Sequence, residues 1–290
     1  MYKQHIEFVS MTTQCVVDLF DTSEEVAQRC FAAIQENTRR LEHKYNFHHP
    51  DSLLNRLINQ RATNAIEVDE ESAHILHTVR QLSLATEGHF DITVGTIHDC
   101  FKQKSPAAMK QCLEERQGWF GLDSWEIQGQ RLSFVHPETR IDLGGVIKEY
   151  AVDEAARLLT EQGVRSALIN FGGDVRVIGT KPDGRSFGVA IRNPIKRDHV
   201  LAVVNIENQA LTTSGSYERV HKVGNGIFSH ILSPKVVSGE ILSSTMIGDT
   251  TLRCGIYSTA FMLNSDIAIP EALRVILVDR ELRLHQNLLP

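Results

Sequence analysis

No run of about 18 apolar residues occurs in the 290-residue sequence, which excludes a membrane-spanning helix on length alone. The opening residues, MYKQHIEFVSMTTQC, hold no apolar stretch of the kind an export signal needs. Cys15 follows Thr-Thr-Gln rather than a hydrophobic segment with a small-residue cleavage site. Read as given, the chain carries no export or lipid-anchor signal, although one trimmed at its N-terminus would read the same. Basic residues do not predominate: 30 Lys and Arg stand against 36 Asp and Glu, a net charge of −6. That argues against nucleic acid or an anionic membrane as partner, since either wants a concentrated basic face. Cysteine is sparse and odd in number. Cys15, Cys30, Cys100, Cys112 and Cys254 form no C-x-x-C pair, which suits reduced thiols and a cytoplasmic location better than a disulfide framework or a zinc site. The histidines are scattered; His48-His49 and His74/His77 have metal-capable spacing, but surface and core-edge histidines are far commoner. No repeat, low-complexity tract or linker divides the chain, so one domain over 1–290 is expected, with a polar excursion at 102–118.

What is present is ordinary for a globular protein, at 42% hydrophobic and 23% charged. Apolar periodicity predicts a strand over 6–19, a helix opened by the cap residues and acids of 21–25 and running to about 45, a short helix over 53–59 and a second long helix ending at Gly88. In that helix Ile75, Val79, Leu82 and Leu84 supply the apolar face. Residues 88–95 read as extended, placing Asp91 and Thr93 on one side of a strand. A hairpin turned at Gly129-Gln130 follows, then a helix over 146–162 and a series of short strands with close connections. A helix over 252–263 and a final strand at 272–279 complete the chain. Strands outnumber helices and most connections suit antiparallel pairing, so the expected class is α+β, with mixed, largely antiparallel sheets and packed helices.

One stretch organises the rest. Arg140 to Leu143 is β-prone, Gly144 and Gly145 follow, and the chain turns helical at about Val146. Two residues without Cβ allow a positive φ and close approach of a ligand. The first N–H groups of the following helix point outward unpaired, which suits an anion. Asp142 and Lys148 flank this opening with a carboxylate and an ammonium. An ordinary strand-to-helix turn with a surface lysine has the same wording. So, taken singly, do the other polar clusters: Asp91/Thr93, Gly172-Gly173-Asp174, 212–216, His230 and Ser258/Thr259.

Their order, however, resembles one family, the ApbE flavin transferases, which move FMN from FAD onto a threonine or serine of a target protein. Phe8-Val9-Ser10-Met11-Thr12-Thr13 is similar to that family's Met-Gly-Thr segment. The run from His48-His49-Pro50-Asp51-Ser52 to Asn59 is similar to its Tyr-x-x-Asp-Ser…Asn. Residues 86–95 match Thr-x-Gly-x-Phe-Asp-x-Thr-x-Gly, and 142–153 match Asp-Leu-Gly-Gly-x-x-Lys-x-Tyr-Ala-x-Asp. Asn170-Phe171-Gly172-Gly173-Asp174, Thr213-Ser214-Gly215-Ser216-Tyr217-Glu218-Arg219 and His230-Ile231 follow in register. The resemblance implies an ApbE-like (T-fold-like) architecture and FAD as substrate. It implies Mg²⁺ beside the pyrophosphate and a flavoprotein partner carrying the acceptor hydroxyl. It places Met11 against the adenine, His48 at the adenine-stacking position, and His89, Phe90 and Asp91 along the cofactor. Asp142 and Lys148 would contact FAD and Leu232 the flavin side. The Gly145 carbonyl, Ser258 and Thr259 would face the metal, and His230 would be the general base.

Two departures stand out. His48 replaces the family's stacking Tyr, with Tyr45 or Phe47 as substitutes if the loop register shifts. The family's Ala-Asp-Ala-x-x-Thr metal segment reads Cys254-Gly255-Ile256-Tyr257-Ser258-Thr259 here, so a metal-binding Asp has become Gly255. Mg²⁺ prefers carboxylate oxygens, and Asp249 or Asp142 are the acids expected to compensate. Three outcomes follow: an FMN transferase, a degenerate relative that binds FAD without transfer, or a hydrolase making FMN and AMP from FAD.

Overall fold

Polar and apolar side chains alternate through the first twenty residues, a period of two that makes strands. The computed structural model, which describes residues 2–196, 198–215, 220–223, 226–229 and 241–287, folds them as an antiparallel hairpin. Its arms are β1 (Lys3–Ser10) and β2 (Thr13–Phe20). Met11 and Thr12 make the turn at φ 51° and 59°, a region that few residues other than glycine enter. The expected strand over 6–19 is thus two strands, because nothing in Met-Thr marks a turn.

The helix α1 (Glu24–Tyr45) starts where the Ser23 hydroxyl accepts the Val26 N–H, with Glu24 and Glu25 at its positive end. Ala27, Cys30, Ile34 and Leu41 bury one face. Leu54–Asn59 coils as a short π-type helix, followed by β3 (Ala65–Glu67) and α2 (Glu70–Ala85). Asp69 caps α2 by accepting the Ser72 N–H at 2.8 Å. Leu84 is 54% exposed, so it does not belong to the apolar face with Val79; Ala73, Leu76 and Ser83 are buried there instead. Two residues along a helix turn a side chain well away from its neighbour's face.

Glu71 ties α2 to α1, accepting from Arg40 Nη1 at 2.8 Å and Lys44 Nζ at 2.6 Å. The Arg40 hydrogen bonds hold the Glu71 carboxyl below its ordinary 4.5, with burial opposing and Lys44 assisting. Glu71→Gln is expected to cost about 1 kcal/mol at neutral pH. A carboxyl lowered in the folded state contributes fully above its unfolded value and loses that contribution as pH falls through the folded one. Urea melts of wild type and variant should therefore converge at acid pH.

Residues 88–95 are not a strand. Ile92–Lys102 winds as 3₁₀ turns, and Asp91 caps it by accepting the Thr93 N–H at 2.8 Å and hydroxyl at 2.7 Å. The excursion holds α3 (Pro106–Glu115), and Cys112 on it is disulfide-bonded to Cys100. This corrects the expectation of five reduced thiols and removes the support that thiol chemistry gave to a cytoplasmic location. Thiol titration in denaturant is expected to find three reactive cysteines, Cys15, Cys30 and Cys254, and all five only after reduction.

The remaining elements are β4 (Trp125–Gln128), β5 (Arg131–Phe134), α4 (Ile147–Glu161), β6 (Ala167–Phe171), β7 (Asp174–Ile178), β8 (Phe187–Arg192) and β9 (Val200–Ile206). After them come β10 (Ala210–Gly215), β11 (Val220–Val223), β12 (Gly226–Ser229), β13 (Ile241–Gly248), α5 (Thr251–Leu263), β14 (Arg274–Asp279) and β15 (Leu284–Asn287). Among the described residues eight strands form the main sheet in the order β1-β2-β6-β7-β10-β13-β14-β15, every neighbouring pair antiparallel. Strands β3-β5-β4, β8-β9 and β11-β12 make smaller antiparallel sheets. The α+β class expected from the sequence is the class observed.

Helix α4 packs on β6 and β7, and α5 on β10 and β13. Asp153 of α4 fixes the two helices together by accepting the Thr251 N–H at 2.8 Å and the Leu252 N–H at 2.9 Å, which caps α5. The start of α4 and the middle of α5 thereby meet over the centre of the main sheet. Among the described residues no helix is long and apolar enough to cross a membrane.

Candidate functional site

The glycine bend is held from both sides. Ile141 donates its N–H to Asn59 Oδ1 at 2.8 Å, and Asn59 Nδ2 donates to the Ile141 carbonyl at 2.9 Å. The next residue, Asp142, donates its N–H to the Ile92 carbonyl at 2.7 Å. Asp142 Oδ1 accepts the Gly144 N–H at 2.8 Å, and Oδ2 lies 3.0 Å from His98 Nε2. Neither Gly144 nor Gly145 lies in the left-handed region, so the expected need for positive φ is not what selects glycine here. A Cβ on Gly144 would crowd Asp142 Oδ1 at 3.1 Å, whereas one on Gly145 would rest at an ordinary 3.6 Å from the Phe90 ring. Both glycines are exposed, as are Gly172 and Gly173 in the β6–β7 turn, so backbone is open to solvent at both turns.

Just inside the bend, the Lys148 ammonium contacts the Asp174 carboxylate and stands 3.9 Å from Glu149 Oε1. The Asp174 and Glu149 side chains are nearly inaccessible, 3% and 9% exposed against 27% for Lys148. Burial, reinforced by the Asp174 charge and relieved in part by Lys148, pushes Glu149 up to about 7. Glu149 also reaches α5: a Cβ built on Gly255 would lie 2.7 Å from Glu149 Cγ. On that face of α5 the Ser258 hydroxyl donates to the Gly255 carbonyl at 3.0 Å. Ser214 Oγ lies 2.8 Å from Ser258 Oγ and 3.1 Å from Thr259 Oγ1. Lys148 thus faces carboxylates from α4 and β7, while hydroxyls from β10 and α5 form their own hydrogen-bonded group beside Gly255.

A second group lies on the Asp142 side. The Phe47 and His98 rings sit 4.6 Å apart, with His48 at 5.5 Å from Phe47 and 6.1 Å from His98. Tyr45 is buried in the core, its hydroxyl 2.9 Å from Ser72 Oγ, so Phe47 is the aromatic available beside His48. Asp91 is engaged with Thr93, and burial raises its pKa. His89 Nε2 lies 3.1 Å from Asn264 Nδ2, and Met11 sits partly buried at the first hairpin turn. His230 and Leu232 lie outside the described residues. Asp249 faces Arg253 at 3.4 Å and is largely exposed, so it does not fill the place left by Gly255.

Sequence reasoning missed His98 and Glu149. His98 has no motif to mark it, and Glu149 reads as an ordinary polar helix position between Lys148 and Tyr150. Among the described residues no three His, Cys, Asp or Glu side chains gather as a metal-binding group. Two surface cavities lie elsewhere, one of about 520 Å³ beside Phe20 and Thr180, one of about 770 Å³ beside Phe261 and Asp279.

The chain is 26% identical over 267 residues to the FAD:protein FMN transferase of Haemophilus influenzae, taking in 87% of this chain and 76% of that one. The ApbE protein of Thermotoga maritima superposes with a TM-score of 0.84 at 21% identity, covering 98% of this chain and 97% of the other. The flavin transferase ApbE of Vibrio cholerae gives 0.82 at 21% identity, covering 98% and 96%. Identities this low speak for the fold. The family model described as the ApbE family matches residues 11–276, a span that takes in the bend, Lys148, Asp174 and the hydroxyls of α5. By that match, the chain belongs to the ApbE family.

Proposed function

We propose that this chain, working as one domain, transfers FMN from FAD to a threonine or serine hydroxyl of a target flavoprotein and releases AMP. The observation that carries the reading is the family match through a bend whose exposed backbone leads into Lys148. The acceptor oxygen bonds to the FMN-side phosphorus as the bond to the AMP phosphate breaks. Lys148 and the first N–H groups of α4 neutralise charge on the pyrophosphate as AMP leaves. His230 takes the hydroxyl proton, a task suited to imidazole near neutral pH. His48, with Phe47 and His98 beside it, offers a stacking face for the adenine. Phe90 and Leu232 line the cofactor, and His89, Asp91 and Met11 complete its surroundings, with Asp142 orienting the bend.

Mg²⁺ fits these residues. It is held by one or two carboxylates together with substrate phosphates and water, so no three-acid group is required. The buried, unpartnered Glu149 Oε2 and the Ser258 and Thr259 hydroxyls are the oxygens at hand, with the Gly145 carbonyl. When bound, the ion supplies Lewis-acid stabilisation of the departing phosphate.

Protein incubated with FAD, Mg²⁺ and a target-domain peptide is expected to give a covalently flavinylated, fluorescent peptide. His230→Ala should abolish that product and leave FAD bound. The loss of an acid at Gly255 favours a second reading, a protein that binds FAD without transferring it. That reading predicts tight FAD binding indifferent to Mg²⁺ and no product. Release of FMN and AMP without peptide would indicate hydrolysis, with water as acceptor.

A further inference from the structure

Gly255 stands where the family's metal-binding segment has an acid, yet the space is not empty. The position where its Cβ would sit is 2.7 Å from Glu149 Cγ and 3.3 Å from both Cδ and Oε1. A carboxylate delivered by α4 therefore occupies the volume that a side chain on α5 would take. Glu149 is 7% exposed, and its Oε2 has no hydrogen-bond partner. A buried carboxylate oxygen left unmatched is costly, and such atoms persist where an ion or ligand completes them. Hard oxygens belong to the same two helices and the strands beneath: Asp174 shares Lys148 with Glu149, and Ser258, one turn along α5 from Gly255, is joined with Thr259 through Ser214. That donor set suits Mg²⁺ or Mn²⁺ and lacks the nitrogen and sulfur that zinc or copper would seek.

We infer that Glu149 supplies the metal-binding carboxylate that Gly255 lacks, so the ion is held by an acid from α4 in place of one from α5. The two positions are complementary: a side chain at 255 and the glutamate at 149 exclude each other, and a single acid serves the ion. Rather than a degenerate site, the chain has a rearranged one. This inference rests on the transferase reading of the site, but its test is separable from that reading.

The test is Mn²⁺ binding, followed by the electron paramagnetic resonance signal of free Mn²⁺ during titration of the FAD-loaded protein. Glu149→Gln keeps the shape of the side chain and removes its charge. It is expected to weaken Mn²⁺ binding by about ten-fold or more, since even an outer partner of a metal ligand is worth that much. FAD affinity without metal and the circular dichroism spectrum should be unchanged. The double variant E149A/G255D moves the carboxylate to α5 and should bring Mn²⁺ affinity back toward the wild-type value. Wild-type protein that binds no Mn²⁺, or E149Q that binds it as tightly as wild type, would overturn the inference. So would a folded E149A/G255D that stays as weak as E149Q, because the two positions would then not serve one ion. Mn²⁺ binding that depends on Glu149 in a protein without transferase activity would remove the function proposed above and leave this inference standing. Transferase activity with Mn²⁺ binding indifferent to Glu149 would do the reverse.

Discussion

Replacing Lys148 with Met is expected to slow FMN transfer by about 100-fold or more, the usual loss when a group that neutralises developing charge is removed. It is also expected to lower fold stability by about 3 kcal/mol, because removing one partner from a buried pair leaves an uncompensated charge. Two carboxylates, on Asp174 and Glu149, face this ammonium from nearly inaccessible positions. The double variant K148M/D174N should be more stable than K148M alone, since it removes one of the stranded anions, yet no more active. Urea denaturation reads the first effect and in-gel flavin fluorescence of the target peptide reads the second. If K148M kept full activity, the bend would not be where the pyrophosphate binds.

Gly255→Asp by itself is expected to destabilise the protein by about 2–3 kcal/mol, although it installs the residue that the family carries there. Helix propensity pulls the other way, since most residues improve on a mid-helix glycine by up to about 1 kcal/mol. Packing decides the sign. The new Cβ meets Glu149 at Cγ, close to the α4 backbone, where the side chain has little freedom to withdraw. The added charge also joins Glu149 and Asp174, which already share Lys148. Truncating Glu149 to Ala in the same molecule removes the collision and one acid together. The pair should therefore be non-additive by about 2 kcal/mol in a denaturation cycle. Additive behaviour would mean the two side chains do not compete for one volume.

Much of the site could be read from the sequence because its pieces are contiguous. Asp142, the two glycines and Lys148 fall within one turn and the start of one helix, so their proximity needs no tertiary information. The series of short strands after α4 was legible from alternation, but the Met11-Thr12 turn hid the division of 6–19 into β1 and β2. What was hidden depends on residues distant in the chain. His98 meets Asp142 across 3₁₀ turns that the glycine-bounded, β-branched run 88–95 disguised as a strand. Glu149 looks solvent-facing by its polarity, and only the absence of a side chain on another helix explains why it can be buried. Cys100 and Cys112 follow no spacing motif, and the packing of α3 against the 3₁₀ turns brings them together. Asp153, read as part of a cofactor motif, is a helix cap for α5.

The reciprocal bonds between the Asn59 amide and Ile141 have a consequence for how the bend keeps its place. One side chain imitates a single rung of a ladder, where a full neighbouring strand would supply many. Lengthwise alignment of the approach to Gly144 is thus set piecemeal, by the Asn59 carboxamide on Ile141, the Thr96 hydroxyl on Arg140 and the Ile92 carbonyl on Asp142, and the carboxamide's oxygen and nitrogen cannot be interchanged. A swap to aspartate, nearly identical in outline, would set a negative oxygen against the Ile141 carbonyl and turn that rung from an attraction into a repulsion.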